Sequence, residues 1–284
     1  MPELPEVEVL KRHLEPLLRS QKISGVIVRR PKVLAPTSAL QLEQILQGAV
    51  FDRISRRGKY LLFELRSPRG RERVILVGHL GMTGRMYLLP RDAALPKHAA
   101  VILDLGRKSF VFEDTRYFGR LTLDTGALER LGPEPLEDAF TVEHFAASLK
   151  RSAQPVKVKL LDQAMVSGIG NIYASEALFR AGVPPRLRAR NLKTDQVVRL
   201  WRAIRETLAE AIEFGSAVPL DHAGSGERDG LFYFGRAAGA GDSYEERLRV
   251  YDRAGESCSR CGCVIRRLVQ AARSTYYCPR CQRG

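Results

Sequence analysis

The chain has 284 residues, 44% of them hydrophobic, which is enough apolar material for two domains with real cores. Lysine and arginine total 46 against 32 acidic residues, so a formal net charge of +14 attracts polyanions, and nucleic acid is the expected partner. A long apolar run and an N-terminal signal sequence are both missing, which argues against a membrane protein and predicts a soluble intracellular one.

The first predicted element is an amphipathic helix over about residues 4 to 19, with Pro5 tolerated in its first turn. Its apolar side recurs at helical spacing, at Val7, Leu10, Leu14 and Leu17. From residue 22 to about 125, short β-rich runs alternate with Gly, Pro and basic turns, at residues 23–28, 60–65, 74–77, 100–103, 110–112 and 121–123. Short strands without regular intervening helices predict an antiparallel β-sandwich.

A Gly-Pro-Glu-Pro segment at residues 132–135 interrupts this pattern and predicts a domain boundary. We expect four parts in chain order: an N-terminal domain at 1–133, a linker at 134–140, a helical domain at 141–250 and a metal-binding module at 251–284. The helical domain thus begins where the β-rich runs have ended.

Within the helical domain, Thr194 can cap a long helix with one apolar face. That face is formed by Val197, Trp201, Ile204, Leu208 and Ile212. Residues 215–245 are too polar for a core and too long for an ordinary connection, which leaves either a disordered segment or a mobile lid over a substrate.

A glycine-rich turn, Ser167-Gly168-Ile169-Gly170-Asn171, lies between two helical runs at residues 159–165 and 172–180. Glycines let a backbone approach a phosphate closely, and the following helix start offers free N–H groups. The Asn171 side chain can cap that start or donate to the phosphate. A plain connection between two helices, the second ending at Gly182, is the alternative that so short a motif leaves open.

Four of the five cysteines are spaced as two pairs, Cys258-x-x-Cys261 and Cys278-x-x-Cys281, with 16 residues between the pairs. This spacing is typical of a zinc site on a hairpin rather than of four unrelated core cysteines. Because cysteine fills all four positions and residues 251–284 contain no histidine, no position is left for a catalytic water, and we expect one structural Zn²⁺. Cys263 is left as a packed thiol. Seven arginines against two acidic residues in this segment favour phosphate contact.

Three distant motifs together resemble one known family. The opening Met1-Pro2-Glu3-Leu4-Pro5-Glu6-Val7-Glu8, the glycine-rich turn and the four-cysteine finger are similar to those of the formamidopyrimidine-DNA glycosylases, bacterial base-excision repair enzymes that remove 8-oxoguanine and ring-opened purines. The resemblance covers essentially the whole chain. It implies an α+β multidomain fold with an N-terminal antiparallel β-sandwich flanked by helices, a C-terminal helical domain with a helix-two-turn-helix motif, and a four-cysteine β-hairpin zinc finger.

The same resemblance implies a partner and a place of action. The expected partner is double-stranded DNA containing oxidised bases, and we expect no membrane partner. The enzyme is expected in the bacterial cytoplasm, associated with the nucleoid when it is bound to DNA. Because one chain holds every needed part, we expect a monomer.

The resemblance also implies a catalytic set. Pro2, freed by removal of Met1, attacks the anomeric carbon of the damaged nucleotide and forms a Schiff base, and β,δ-elimination then cleaves the strand. Glu3 is similar to the family's carboxylate that handles protons, and Lys59 to its lysine that contacts a phosphate and the reacting sugar. Arg273 is placed in the same set. From the residues alone, Pro2 and Glu3 could simply begin a helix, and Lys59 could be a solvated turn residue.

Positions that contact DNA are implied as well. The side chains that fill the void left by the extruded base are matched by Met82, Arg116 and Phe118. Other DNA-contacting positions are matched by His98, Arg116, Lys159, Asn171 and Arg273. For Met82 and Phe118 ordinary core burial is the alternative, although the flanking glycines indicate exposed turns. The residue of the 215–245 loop that contacts the lesion stays unnamed.

Two other functions remain open. One is an endonuclease VIII-type glycosylase that acts on oxidised pyrimidines with the same nucleophile, and Leu4 and Val7 favour the purine type over it. The other is a non-catalytic zinc-ribbon DNA-binding protein, against which the presence of Pro2, Glu3 and Lys59 argues.

Overall fold

The structure is a computed structural model that describes residues 2–68, 73–217 and 248–283. It divides into two compact units. Of the described residues, the N-terminal unit comprises Pro2 and residues 6–68, 73–129 and 215–217, and the C-terminal unit comprises residues 3–5, 130–214 and 248–283. Met1 and most of the predicted 215–245 loop lie outside the described residues. The predicted domain and linker boundaries stay predictions.

The N-terminal unit contains two four-stranded antiparallel sheets. Their strands in chain order are β1 (Gly25–Val28), β2 (Val50–Arg57), β3 (Tyr60–Arg66), β4 (Arg73–His79), β5 (Gly84–Pro90), β6 (Ala99–Asp104), β7 (Lys108–Asp114) and β8 (Arg120–Thr122). One sheet has the order β2-β3-β4-β8 and the other β1-β6-β7-β5. The unit also contains helix α1 (Leu4–Leu18) from Glu6 onward, helix α2 (Ala39–Leu46), and 3₁₀ turns at Pro31–Leu34 and Leu128–Arg130.

Two of these strands, β2 and β5, are not predicted by the β-rich runs. In β2 a register shift between Phe51 and Arg53 puts the buried Phe51 and Ile54 three residues apart, and simple alternation does not detect that spacing. Strand β5 ends at Pro90, which is tolerated because β5 lies at a sheet edge.

The core of this unit lies between the two sheets and against helix α1. The ring of Phe63 on β3 meets the ring of Phe110 on β7 edge to face, with centroids 5.5 Å apart. Helix α1 adds Val7, Leu10 and Leu14 to the same cluster, as its spacing predicts. Leu17 departs from the prediction, because it is 38% exposed while Leu18 is buried in its place. The predicted β-sandwich with a flanking helix is confirmed.

The C-terminal unit is mostly helical. Its helices are α3 (Val142–Lys150), α4 (Val156–Leu160), α5 (Asn171–Ala181) and α6 (Thr194–Ala217), with a 3₁₀ turn at Ala189–Asn191. Helix α5 ends as predicted at Gly182, whose φ of +69° places it in the left-handed region that glycine adopts without strain. A hairpin of β9 (Arg266–Gln270) and β10 (Arg273–Tyr277) follows.

Helix α6 packs through the predicted apolar face. Its buried side chains include Val197, Ile204, Leu208 and Ile212. Trp201 is half-buried and its indole N–H donates to the Phe140 carbonyl at 2.8 Å. The helix begins at Thr194 itself, and the side chain that serves its first turn is Gln196, which accepts from the Lys193 N–H at 3.0 Å. Among the described residues, no helix has the length and apolar character needed to cross a membrane.

Candidate functional site

Glu3 lies at the start of helix α5 in the C-terminal unit. Its side chain is 1% exposed. Its carboxylate accepts hydrogen bonds from three backbone N–H groups, those of Gly170 at 2.8 Å, Ile172 at 2.9 Å and Tyr173 at 3.3 Å. The first N–H groups of a helix have no partner within the helix, and they favour a negative charge. The expectation that the helix start offers free N–H groups to a DNA phosphate is therefore wrong for these three, because they donate to Glu3.

The absence of a side chain at Gly168 and Gly170, in the turn before α5, lets the N-terminal segment of the chain approach closely. A Cβ on Gly170 would lie 2.3 Å from Cδ of Glu3, and one on Gly168 would lie 2.5 Å from Cδ1 of Leu4. The Leu4 N–H also donates to the Gly168 carbonyl at 3.0 Å. Close approach does require these glycines, as the sequence indicates. The group that approaches them is the N-terminal segment of the chain itself.

Lys157 on helix α4 is a buried cation that the sequence pattern does not predict. Its side chain is fully buried and its ammonium donates to three acceptors, Oδ1 of Asn171, the Ser274 carbonyl at 2.9 Å and the Thr275 hydroxyl at 2.7 Å. Burial lowers the pKa of Lys157 to about 8, while the charge of Glu3 opposes the shift. Lys157 thus ties α4, the start of α5 and strand β10 together.

Asn171 and Lys159, two of the predicted DNA contacts, each bond to another group of the protein. Asn171 does not cap α5, since the N-cap is Gly170 and the Asn171 amide donates to the Ser274 carbonyl at 3.0 Å. Lys159 forms an ion pair with Asp162 at 2.7 Å. A lysine between two valines on an apolar helix face is the signal that would have identified Lys157. The DNA contacts of Asn171 and Lys159 stay predictions.

Glu176 is a second missed residue. It lies on α5, is 5% exposed, and accepts three backbone N–H bonds from the segment before the finger. The donors are Arg249 at 2.8 Å, Val250 at 2.9 Å and Tyr251 at 2.8 Å. Burial raises the pKa of Glu176, while these hydrogen bonds oppose the shift. In the sequence, a single glutamate on a helix gives no sign that it is buried or that distant backbone N–H groups donate to it.

The four predicted zinc ligands come together at the end of the chain. The sulfur atoms of Cys258, Cys261, Cys278 and Cys281 all lie within 4.8 Å of one another. The Sγ atoms of Cys258 and Cys281 are 3.9 Å apart, and those of Cys261 and Cys278 are 3.5 Å apart. Four thiolates at Zn–S distances of about 2.3 Å would be separated by about 3.8 Å in a tetrahedron. The residues therefore fit one structural zinc, and Cys263 is outside the set, as predicted.

The finger hairpin turns through Ala271 and Ala272, whose φ angles are +46° and +58°. A two-residue hairpin turn of type I′ needs a positive φ at both residues, which Asn and Gly adopt with the least strain. We expect the double change Ala271→Asn with Ala272→Gly to stabilise the protein by about 1 kcal/mol. Thermal unfolding of the zinc-loaded protein measures the effect, and a lower midpoint than that of the parent chain would contradict it.

In the N-terminal unit, the two turns with flanking glycines are exposed, as predicted. Met82 is 41% exposed and Phe118 is 53% exposed, so neither is an ordinary core residue. The guanidinium carbon of Arg116 lies 4.9 Å from the centroid of the Phe118 ring. His98 approaches the same turn, with Nδ1 at 3.4 Å from the Tyr117 hydroxyl. The structure thus places Met82, Arg116 and Phe118 on two neighbouring turns and His98 beside the second of them.

Pro2 and Lys59 are both buried in this unit. Lys59 is 9% exposed and lies in the turn between β2 and β3, so the alternative of a solvated turn residue is wrong. Burial, followed by the charges of Lys59 and Arg120, lowers the pKa of His79 to about 4. His79 is therefore a neutral neighbour of Lys59 at physiological pH.

Known proteins match this chain along its whole length. Three family descriptions fit in order: the formamidopyrimidine-DNA glycosylase N-terminal domain over residues 1–121, the formamidopyrimidine-DNA glycosylase H2TH domain over residues 131–219, and the zinc finger found in FPG and IleRS over residues 255–284. The chain is 39% identical over 283 residues to the formamidopyrimidine-DNA glycosylase of Carboxydothermus hydrogenoformans, with 100% of both chains covered. It is 40% identical over 289 residues to that of Thermus thermophilus, covering 99% of this chain and 98% of the relative.

A solved structure gives the same result. The chain is similar to wild-type Lactococcus lactis Fpg (MutM) in a complex with DNA that contains N7-Benzyl-Fapy-dG, with a TM-score of 0.86, 33% identity and 100% of both chains covered. The predicted α+β fold with its helix-two-turn-helix region and four-cysteine finger is confirmed. On the evidence of its sandwich, its glycine turn, its zinc-binding cysteines and its full-length relatives, this chain belongs to the formamidopyrimidine-DNA glycosylase family.

Proposed function

We propose that this protein is a bifunctional base-excision repair enzyme that removes oxidised purines from duplex DNA through a Schiff base on Pro2. It then cleaves the strand at the abasic site. The observation that carries the proposal is the fixed position of Glu3, next to Pro2 in the chain and held by three backbone donors of helix α5. A carboxylate held in this way is suited to transfer protons at one defined place.

The chemistry follows from a secondary amine and a neighbouring acid. The nitrogen of Pro2 attacks the anomeric carbon with its lone pair, and the bond from that carbon to the damaged base breaks as the base takes a proton. Pro2 then loses its N–H proton. As the nitrogen lone pair forms the C=N bond, the bond from the anomeric carbon to the ring oxygen breaks and that oxygen takes a proton, which leaves an iminium between Pro2 and the opened sugar. An α-amino group has a reference pKa of about 7.7 to 8.0, so a useful neutral fraction exists near pH 7. Glu3 supplies and removes protons, and Lys59 contacts the phosphate and sugar.

The duplex is held by the positive charge of the chain and by the finger. Arg273 is exposed at the start of β10, next to Ser274 and Thr275, which accept hydrogen bonds from Lys157. Zinc, when bound, supplies no reactive chemistry here and stiffens the hairpin that presents this arginine. Met82, Arg116 and Phe118 fill the space that the extruded base leaves in the stack.

We place the enzyme in the bacterial cytoplasm, acting as a monomer and bound to the nucleoid through DNA. The relatives named formamidopyrimidine-DNA glycosylases support the association with DNA, and the monomer is inferred because one chain holds every needed part.

Borohydride trapping tests the proposed function. Duplexes that carry 8-oxoguanine, an oxidised pyrimidine or no lesion are incubated with the enzyme and sodium borohydride. We expect a covalent adduct with the 8-oxoguanine duplex and none with the undamaged one. Trapping with the pyrimidine duplex alone would favour the endonuclease VIII type, and no adduct with any duplex would leave a non-catalytic DNA-binding protein.

The role of Arg273 leads to a salt-dependence prediction. Replacing Arg273 with Gln should weaken DNA binding equally for different sequences and flatten the plot of log affinity against log salt by about one unit. Binding titrations between about 50 and 200 mM salt measure the slope. Arg202→Gln, on an exposed position of α6, is the matched control and should leave the slope unchanged. Equal slopes for Arg273→Gln and the parent chain would refute the phosphate contact.

A further inference from the structure

A buried carboxylate joins two turns of the N-terminal unit, the Met82 turn (residues 80–84) and the Phe118 turn (residues 115–119). Asp114 ends strand β7 and is 0% exposed. Its oxygens accept hydrogen bonds from groups on both turns: the Thr83 hydroxyl at 2.6 Å, the Arg116 N–H at 3.1 Å and the Gly119 N–H at 2.7 Å. Hydrogen bonds to a charged acceptor are stronger than neutral ones, so this side chain is a strong link between the turns.

The backbones of the two turns also touch directly. Gly81 has a φ of +61°, and a Cβ at this position would lie 2.6 Å from the nitrogen of Gly119 and 2.7 Å from the carbonyl carbon of Phe118. The Thr83 hydroxyl, which donates to Asp114, accepts from the Arg116 N–H at 3.3 Å. Because Gly81 has no side chain, the two backbones approach closely, and the hydrogen bonds of Asp114 and Thr83 hold the turns in register.

Side chains that enter DNA must keep their relative positions while the stacked base is displaced. If the Met82 turn and the Phe118 turn could separate, the protein would deform before the base left the stack. Misplacement of a positioning group by about 1 Å can lower a rate by about 100-fold. The connection between the turns should therefore affect the rate at which their exposed side chains extrude a base.

We propose that Asp114 is a positioning residue that locks the two turns into one rigid wedge, so that Met82, Arg116 and Phe118 enter the duplex as a unit. The proposal rests on the void-filling role given to these side chains under the proposed function. Asp114 itself is buried and touches neither DNA nor the reacting atoms. Its effect should therefore fall on extrusion of the base and not on the chemistry at Pro2.

The test compares a substrate that needs extrusion with one that does not. Single-turnover rates are measured for excision of a paired 8-oxoguanine and for strand cleavage at a preformed abasic site in the same duplex. For Asp114→Asn we expect excision to fall by about 10- to 100-fold, while abasic-site cleavage stays within about threefold of the parent rate. A 2-aminopurine base next to the lesion, which fluoresces when it is unstacked, should show a smaller rise on binding at equal DNA occupancy.

Milder variants keep the test decisive if Asp114→Asn does not fold. Thr83→Val removes one donor to Asp114 at similar volume, and Thr83→Ser keeps the hydroxyl. Thr83→Val should reproduce the loss of excision, and Thr83→Ser should restore it to within about threefold of the parent chain.

Met82→Ala and Phe118→Ala distinguish failure of the Asp114 proposal from failure of the void-filling role on which it rests. If Met82→Ala and Phe118→Ala excise a paired lesion at the parent rate, the void-filling role is wrong and the Asp114 proposal is overturned with it. If they lose excision while Asp114→Asn and Thr83→Val do not, the wedge stands and the role of Asp114 is refuted. Absence of excision by the parent chain would contradict the proposed function itself.

Discussion

An N-terminal extension that keeps the nitrogen of Pro2 in a peptide bond is expected to abolish the borohydride adduct. An amide nitrogen has no free lone pair for attack on the anomeric carbon, so the Schiff base cannot form. Excision of 8-oxoguanine should fall by at least roughly 1,000-fold, as expected when a nucleophile is lost. Trapping and single-turnover excision measure the loss. DNA affinity should change little, because the predicted phosphate contacts do not involve this nitrogen.

The matched control carries the same extension at the C-terminus, where it leaves Pro2 free. That protein should form the adduct at the parent rate once Met1 has been removed, and mass spectrometry of the intact chain checks the removal. A full adduct with the N-terminally extended protein would show that another amine attacks. Lys59 would then be the first residue to examine, since its buried ammonium lies in the same unit.

The second large effect is expected at the zinc site. Cys278 is 0% exposed and one of the four clustered thiols. Cys278→Ser should lower the zinc content from one ion per chain to nearly none, because a structural zinc site needs four protein ligands and only three thiolates would remain. The hairpin that presents Arg273 would lose its shape, and DNA affinity should fall by about tenfold or more. Metal analysis and binding titrations measure the two changes.

Cys263→Ser provides the control for this experiment. Cys263 lies close to the zinc ligands in sequence, yet it is outside the four-thiol set, and its Sγ lies 3.9 Å from the Val264 carbonyl. We expect Cys263→Ser to keep one zinc and parental DNA affinity. Loss of zinc from Cys263→Ser, with zinc retained by Cys278→Ser, would contradict the ligand assignment. Zinc loss without any loss of DNA affinity would instead separate the metal from DNA binding.

Several features of this protein are determined by short-range sequence patterns. The two Cys-x-x-Cys pairs define the metal ligands because a tetrahedral thiolate site needs two tight turns of this kind. The spacing from Val7 onward defines a helix face, and the glycines around Met82 and Phe118 indicate turns that the structure leaves exposed. Each of these patterns is complete within a few residues, so no knowledge of the fold is needed to recognise it.

The tertiary structure decided which groups meet across long separations. Glu3 and Gly170 are 167 residues apart, and Lys157 and Thr275 are 118 residues apart. The sequence correctly indicates that the glycine turn admits a close negative group, but it assigns that place to a DNA phosphate instead of Glu3. The buried Lys157, whose partners lie on distant segments, is likewise not predicted from the sequence. The local spacing of apolar residues indicates which face of a helix or strand is buried. The partner of a buried charge, in contrast, depends on which distant segment folds against it.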